Sequence, residues 1–412
     1  MNFFHSVSLY SIANIIVVGL SFLLIPILTR IIDTEELGLV FIFQALVALI
    51  ATVASLGGPS VIQSLYHQKP SVIGEYISSA ITNSFICTLF LILLTLIFFK
   101  NLFLNLGFPL VFTILILSLS FLSFFQTLIQ TLLQTREESG TFLVITSLSA
   151  FIGFIVSLIL LLFYKANWEM RAFGIASAFI VSLMTGAIYL KRIGYAVPDK
   201  RKMLEIFLIG YPVIFHSFAM LLINQSDKFL LAQLRSLSEV GQYGVATQFS
   251  GVITIFGSTL AAAYAPILYK NISSKNIEKH NEIRKIRKIC ISVISLFGAV
   301  VFILVLRFNK FLLGDNFTFP IVTFLILVGA YICFSWYFLY TGYFYHYKKT
   351  KLLAFITGSI AIMNIIISFL LIPYYGLIGA SIGTLLSYFL GFLMAFIFSK
   401  RIYYKQHIIF KN

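Results

Sequence analysis

Apolar and polar positions along this chain separate into long blocks. Stretches of about 20 apolar residues, enough for a helix to cross a hydrocarbon core, are divided by short polar clusters. Twelve such stretches can be read: Ser8–Thr29, Leu37–Leu56, Ile77–Phe99, Pro109–Leu132, Thr141–Phe163, Ala172–Leu190, Glu205–Ala232, Gln242–Leu268, Ile289–Leu306, Phe319–Thr341, Leu352–Ile372 and Leu377–Phe398. A closed β-barrel, the other structure that satisfies its backbone inside a membrane, needs strands of about ten residues alternating apolar and polar. Leu91–Phe99 and Leu158–Phe163 carry no such alternation. The pattern predicts an all-α polytopic membrane protein of about 12 transmembrane helices, arranged as two six-helix bundles over residues 1–198 and 199–412.

Composition narrows the function classes. Hydrophobic residues make up 60% of the 412 residues and charged residues 10%, against about 45–50% and about 25% in soluble domains. So few charges cannot cover a water-soluble particle. A soluble enzyme, a disordered chain and a nucleic-acid-binding domain are excluded. Cys87, Cys290 and Cys333 lie far apart in apolar runs, so neither a disulfide framework nor a metal site is expected, and no cofactor is implied. A secretory leader would carry a positive start and a small-x-small cleavage site. No Lys or Arg precedes Arg30, and the first stretch is expected to be retained as a span.

The formal charge of +15 is best read by position. With the N-terminus placed inside, 21 of the 29 Lys and Arg fall on cytoplasmic segments, seven of them between Lys270 and Lys288. This asymmetry predicts both termini in the cytoplasm. No connecting segment is long enough for a soluble domain, and no phosphate-binding Gly-rich loop is present. Pumps driven by nucleotide and loop-based glycan polymerases thereby recede, leaving a secondary transporter or a lipid flippase.

The two halves echo one another. Thr34-Glu35-Glu36-Leu37-Gly38 after the first stretch matches Leu237-Ser238-Glu239-Val240-Gly241 after the seventh at an offset of 203 residues. Gly174-Ile175-Ala176-Ser177 and Gly379-Ala380-Ser381-Ile382 open the sixth and twelfth, and both stretches end in a basic pair, Lys191-Arg192 and Lys400-Arg401. A parallel duplication of six spans is the expected origin.

Further motifs run in order along the chain: Pro26-x-x-Thr29-Arg30, Glu36-Leu37-Gly38, Asp227-Lys228-Phe229-Leu230-Leu231, Glu239-Val240-Gly241-Gln242-Tyr243-Gly244-Val245-Ala246 and Pro373-Tyr374-Tyr375-Gly376-Leu377-Ile378-Gly379-Ala380-Ser381. In this set the chain resembles Wzx-type O-antigen and polysaccharide-unit flippases, of the MOP (multidrug/oligosaccharidyl-lipid/polysaccharide) exporter superfamily. The family usually has Asp-Arg where this chain has Asp227-Lys228, and a lysine cannot form arginine's bidentate fork. The resemblance implies a cytoplasmic-membrane flippase that moves an undecaprenyl-pyrophosphate-linked oligosaccharide, such as an O-antigen unit, by alternating access. It implies membrane lipids, a glycan polymerase and a chain-length regulator as partners, and no nucleic acid.

Such a cargo needs a polar, partly cationic path, and charges in or near spans are candidates for it. Arg30 and Asp33 end the first span, and Asp227 and Lys228 lie late in the seventh. They are read either as pyrophosphate contacts and an ion-sensitive gate, or as local ion pairs at helix ends. Asp227, Asp33 and His216 are the ion-coupling candidates. For His216 the alternatives are proton coupling and a hydrogen bond within the bundle. Gln126, Gln130 and Gln134 recur every four residues and share a face. With Asn224 they suit sugar hydroxyls, or they glue helices together. The aromatics from Tyr331 to Tyr347 are read as an interfacial belt before a sugar-stacking surface. Gly210-Tyr211-Pro212 is a place where the seventh span can bend. The competing functions are a drug/cation antiporter, which needs a carboxylate deep in a span, and a membrane glycan polymerase or ligase, which needs acids on a long external loop.

Overall fold

The computed structural model describes residues 3–194, 196–274, 276–314 and 317–408. Of the basic residues counted above, Lys275, Lys411 and the side chain of Lys405 lie outside this range, as do both terminal residues. Among the described residues every regular element is helical. The order is α1 (Phe3–Ile31), α2 (Thr34–Ala54), α3 (Gly58–Leu65), α4 (Ile73–Leu94), α5 (Lys100–Asn105), α6 (Leu110–Thr135), α7 (Ser139–Phe163), α8 (Trp168–Ile193), α9 (Lys200–Leu234), α10 (Leu237–Ile272), α11 (Ile277–Leu312), α12 (Ile321–His346) and α13 (Thr350–Ile408).

Among the described residues, eleven helical segments are long and apolar enough to cross a membrane. The last of them, Thr350–Tyr403, has 54 residues. Straight, it would run about 80 Å, far beyond a hydrocarbon core of about 30 Å. It does not run straight: Gly376, at φ 52° and ψ −126°, breaks it into two helices, which brings the span-length helices to the twelve expected. Ile97, Phe98 and Val111 are each about 70% exposed, as lipid-facing side chains of such helices are.

Local chemistry sets the helix ends. Asp33 accepts a hydrogen bond from Glu36 N at 2.8 Å, Asn167 from Met170 N at 3.1 Å and Ser236 from Glu239 N at 3.2 Å. Each satisfies an amide that the first helical turn leaves open. Gly57-Gly58-Pro59 is a helix-breaking sequence, and Gly57, at φ 72°, turns the chain there so that Pro59 enters α3. The π turn into which α4 loosens over Thr95–Phe99 before α5 was not expected. The structure also lengthens the seventh to ninth spans, since α9, α10 and α11 each run 35 or 36 residues into flanking polar sequence.

The chain divides into two compact units, Met1–Leu221 and Leu222–Asn412. In the first, α6 is the core: Phe124, Phe125, Leu128, Ile129, Leu132 and Leu133 are buried against α3, α4, α7 and α8. The first half of α9 belongs to this unit because α4 holds it. Asn83 Nδ2 donates to Met203 O at 2.9 Å, and Lys69 and Lys202 pair with Glu205 and Glu75. In the second unit α12 packs along α10 and both halves of α13. Phe334 stacks on Tyr388 of α13, centroids 4.4 Å apart, and Tyr340 meets Phe392 and Phe396. Tyr337, Tyr340 and Tyr343 are buried. The sequence reading of an interfacial belt is therefore corrected for these three: they are core residues, and Tyr345 is exposed.

The same devices recur in both units. Glu36 in the first turn of α2 accepts from Trp168 N at 2.6 Å, at the start of α8. Glu239, 203 positions on, pairs with Arg235 beside the Gly376 kink, where the second half of α13 begins. Ser120 Oγ reaches Val47 O at 3.3 Å, and Ser335 Oγ reaches Ile253 O at 3.1 Å.

Candidate functional site

The first unit encloses a cavity of about 440 Å³ between α1, α2, α6, α7 and α8, within the range of small-molecule sites. Its position follows from small residues. A side chain at Gly153 would strike Ala178 at 2.7 Å, and one at Gly174 would strike Ser157 at 2.0 Å. Small residues of this kind let helix backbones approach, so α7 and α8 cross closely. That crossing turns Arg171, in the first turn of α8, into the cavity beside Ser157. Arg171 Nη1 donates to Ser157 Oγ at 2.6 Å, and Ser157 Oγ in turn donates to Gly153 O at 2.6 Å. Arg171 Nε is buried with no hydrogen-bond partner among the described residues. No described carboxylate pairs with this guanidinium.

Gln126 and Gln130 of the expected stripe line the same cavity, with Gln44 and Asn14. Gln130 Nε2 lies 3.5 Å from Thr146 Oγ1. Gln134 is exposed near the end of α6 and does not line it. The site thus combines a half-buried cation, whose buried Nε keeps an unused donor, with several amides. A guanidinium offers five N–H donors and no acceptor, while amides offer both. Such a set suits an anionic oxygen cluster next to hydroxyl groups.

The second unit holds a different polar centre. Asp227 on α9 is 4% exposed. Its Oδ1 accepts from Ser368 Oγ at 2.7 Å, and its Oδ2 accepts from Thr384 Oγ1 at 2.7 Å and Tyr243 OH at 2.8 Å. Asn364 Nδ2 stands 3.5 Å from Oδ2, and Ser226 Oγ donates to Asn364 Oδ1 at 2.7 Å. Gly383 makes the site possible, since a side chain there would meet Ser368 Oγ at 2.2 Å. A buried carboxylate is costly unless its lone pairs are filled. Here the donors to it are neutral hydroxyls and an amide. Among the described residues no three or more His, Cys, Asp or Glu converge as a metal cluster.

Of the remaining candidates, Lys228 stands next to Asp227 and interacts with its charge. Lys228 Nζ donates to Gln225 Oε1 at 2.8 Å. Asn224 and His216 are exposed on α9. Arg30 Nη1 turns back to Pro26 O at 3.2 Å, and Asp33 caps α2. Sequence reasoning missed Arg171, Gln44 and Asn14 as site residues. In the sequence Arg171 is one of the eight Lys and Arg outside the cytoplasmic segments, with nothing else to single it out.

Comparison with known proteins fixes the family. The model described as polysaccharide biosynthesis protein matches residues 3–272, well over half of the chain. The chain belongs to the polysaccharide biosynthesis protein family. A probable low-salt glycan biosynthesis flippase of Haloferax volcanii is 24% identical over 92% of this chain and 79% of its own length. A membrane protein of Haemophilus influenzae is 23% identical, in a match spanning 48% of this chain and 50% of that protein. Among solved structures, an inward-facing MATE-family transporter of the MOP superfamily aligns at TM-score 0.68 and 15% identity, covering 96% of this chain and 98% of that one. The lipid II flippase MurJ, inward closed, aligns at TM-score 0.68 and 15% identity, covering 98% and 89%. The fold of this family member is thus that of MATE and MurJ proteins, and it is a multi-pass membrane protein.

Proposed function

We propose that this protein flips an undecaprenyl-pyrophosphate-linked oligosaccharide, an O-antigen or related repeat unit, across the cytoplasmic membrane. The observation that carries the reading is Arg171, a half-buried arginine whose buried Nε keeps an unused donor, flanked by Gln126, Gln130 and Gln44 in one cavity. The guanidinium meets pyrophosphate oxygens, and the amides meet the first sugar's hydroxyls. Membership of a polysaccharide biosynthesis family and likeness to a probable glycan flippase support this cargo class. Asp227 acts as the ion-coupling residue: one carboxylate ringed by hydroxyl and amide groups can exchange a proton or a monovalent cation, and the neighbouring charge of Lys228 responds to that exchange. Both termini face the cytoplasm, as the basic residues suggest. A polymerase and a chain-length regulator would take up the product.

The test uses cells deleted for this protein, with the polyprenyl-linked glycans extracted and their leaflet assigned by an external glycan-modifying enzyme in spheroplasts. Wild-type protein should return complete units to the outer leaflet, whereas R171Q should leave them inside at unchanged protein level. R171K should recover little, since an ammonium lacks the fork. Normal outer-leaflet units in R171Q would overturn the role of Arg171. A second reading, a drug/cation antiporter, is favoured by the buried carboxylate of Asp227. It predicts unaltered lipid-linked glycans and changed drug or cation sensitivity in the deleted cells.

A further inference from the structure

A small cleft in the second unit gathers cations that neither polar centre uses. Along α11, His280, Arg284 and Arg287 follow at spacings of four and three, so they share one face. Lys400 and Tyr403 come from the end of α13, and Tyr343 from α12. Three permanent cations line the cleft, and no Asp or Glu does. None of the three has a carboxylate within ion-pair distance among the described residues.

Their partners position them without neutralising them. Arg287 Nη1 donates to Tyr343 OH at 2.7 Å, and its guanidinium lies over the Tyr340 ring at 5.1 Å. Lys400 Nζ lies 4.1 Å from the Phe396 ring centroid. Tyr403 OH bonds His280 Nδ1 at 2.7 Å and braces the opposite wall. The first unit treats a comparable cation differently: Arg136, just after α6, has Glu138 at 2.6 Å. Like charges gathered without an acid repel one another, and an anion in the cleft removes that cost.

Size and position identify the anion. The cleft offers about 40 Å³, room for about three waters. That accommodates a tetrahedral oxyanion and not a hexose. Guanidinium groups match phosphate oxygens in pairs. The cleft lies at the polar ends of the span-length segments Glu278–Leu312 and Thr350–Tyr403, the level at which lipid headgroups sit. We infer that this cleft binds the phosphate of an anionic phospholipid headgroup, as a lipid site separate from the transport path.

The test is native mass spectrometry of the full chain in neutral detergent, titrated with dioctanoyl phosphatidylglycerol, dioctanoyl phosphatidylcholine or inorganic pyrophosphate. Phosphatidylglycerol should bind at least about tenfold more tightly than phosphatidylcholine, a difference of about 1.4 kcal/mol. The double variant R284Q/K400Q should lose that preference. K279Q/K285Q, which removes equal charge from exposed positions of α11 outside the cleft, should keep it. Arg287 is left intact because its change would also disturb Tyr340 and Tyr343. Equal binding of the two lipids, or equal loss in both double variants, would overturn the proposal. Pyrophosphate that displaces the lipid at equal concentration would support the phosphate site and overturn the lipid as its source.

Discussion

Asp33 accepts the Glu36 amide hydrogen, so any part it takes in transport has to be separated from its part in closing α2. Asparagine caps a helix about as well as aspartate, while alanine loses about 1 kcal/mol. D33A should therefore lower the Tm of the purified protein, and D33N should leave it unchanged. Transport that falls in D33N at unchanged Tm would put the charge itself to use. Asp33 stands with Glu35 and Glu36 at a span end, and that acidic cluster reads as a gate, although the Asp33-x-x-Glu36 spacing also marks a helix start. Arg171 is the reverse case. In the sequence it is one more basic residue beside a loop. Its burial is decided by Gly153 against Ala178 and Gly174 against Ser157, contacts between residues up to 25 positions apart. The available signal was the pair of small-residue stripes, which marks a close helix crossing next to an arginine.

At the scale of the element, long apolar runs reveal a span because lipid imposes one requirement on every residue of it. Gly57-Gly58-Pro59 marks the break before α3, but nothing comparable marks the π turn, which depends on how neighbours pack. Gly210-Tyr211-Pro212 illustrates the difference. The helix continues through Pro212, and Gly210 has a packing reason: a side chain there would lie 2.2 Å from Leu56 O. That atom is backbone and cannot swing aside. G210A should cost about 1–3 kcal/mol through overpacking. G251A, with nothing within 4 Å in the interior of α10, should gain up to about 1 kcal/mol. Thermal unfolding of both variants in one detergent checks the contrast, and equal shifts would refute it. The join of α4 to α9 gives a pH prediction. Lys69 Nζ donates to Glu205 Oε1 at 2.6 Å and to Tyr76 OH at 2.8 Å, and these bonds raise its pKa above the usual 10.5. A raised folded pKa stabilises fully below the unfolded value, and the contribution is lost as pH rises through the folded one. The Tm gap between wild type and K69M should therefore stay constant from about pH 7 to about pH 9 and close only as pH rises through the raised folded value. A gap that already narrows between about pH 9 and about pH 7 would contradict it.

For the whole molecule, the family match covers residues 3–272, while the Haloferax volcanii flippase aligns over 92% of this chain at 24% identity and the MATE and MurJ folds align over 96% and 98% of it. Exchange of one apolar residue for another of similar volume leaves packing largely intact, so architecture outlasts identity. Orientation is a further property of the whole, and it rests on charge. Of 29 Lys and Arg, 21 fall on alternate connecting segments, a bias that retains basic loops on the cytoplasmic side. With Cys87, Cys290 and Cys333 replaced, single cysteines can be placed at Ser274, in the basic connection after α10, and at Asn105, in the weakly basic segment after α4. In intact cells a membrane-impermeant maleimide should label the cysteine at 105, and the one at 274 only after the membrane is opened. The reverse labelling would invert the molecule and with it the direction in which a lipid-linked glycan could be delivered, so this experiment decides whether the charge bias and the export reading describe the same orientation.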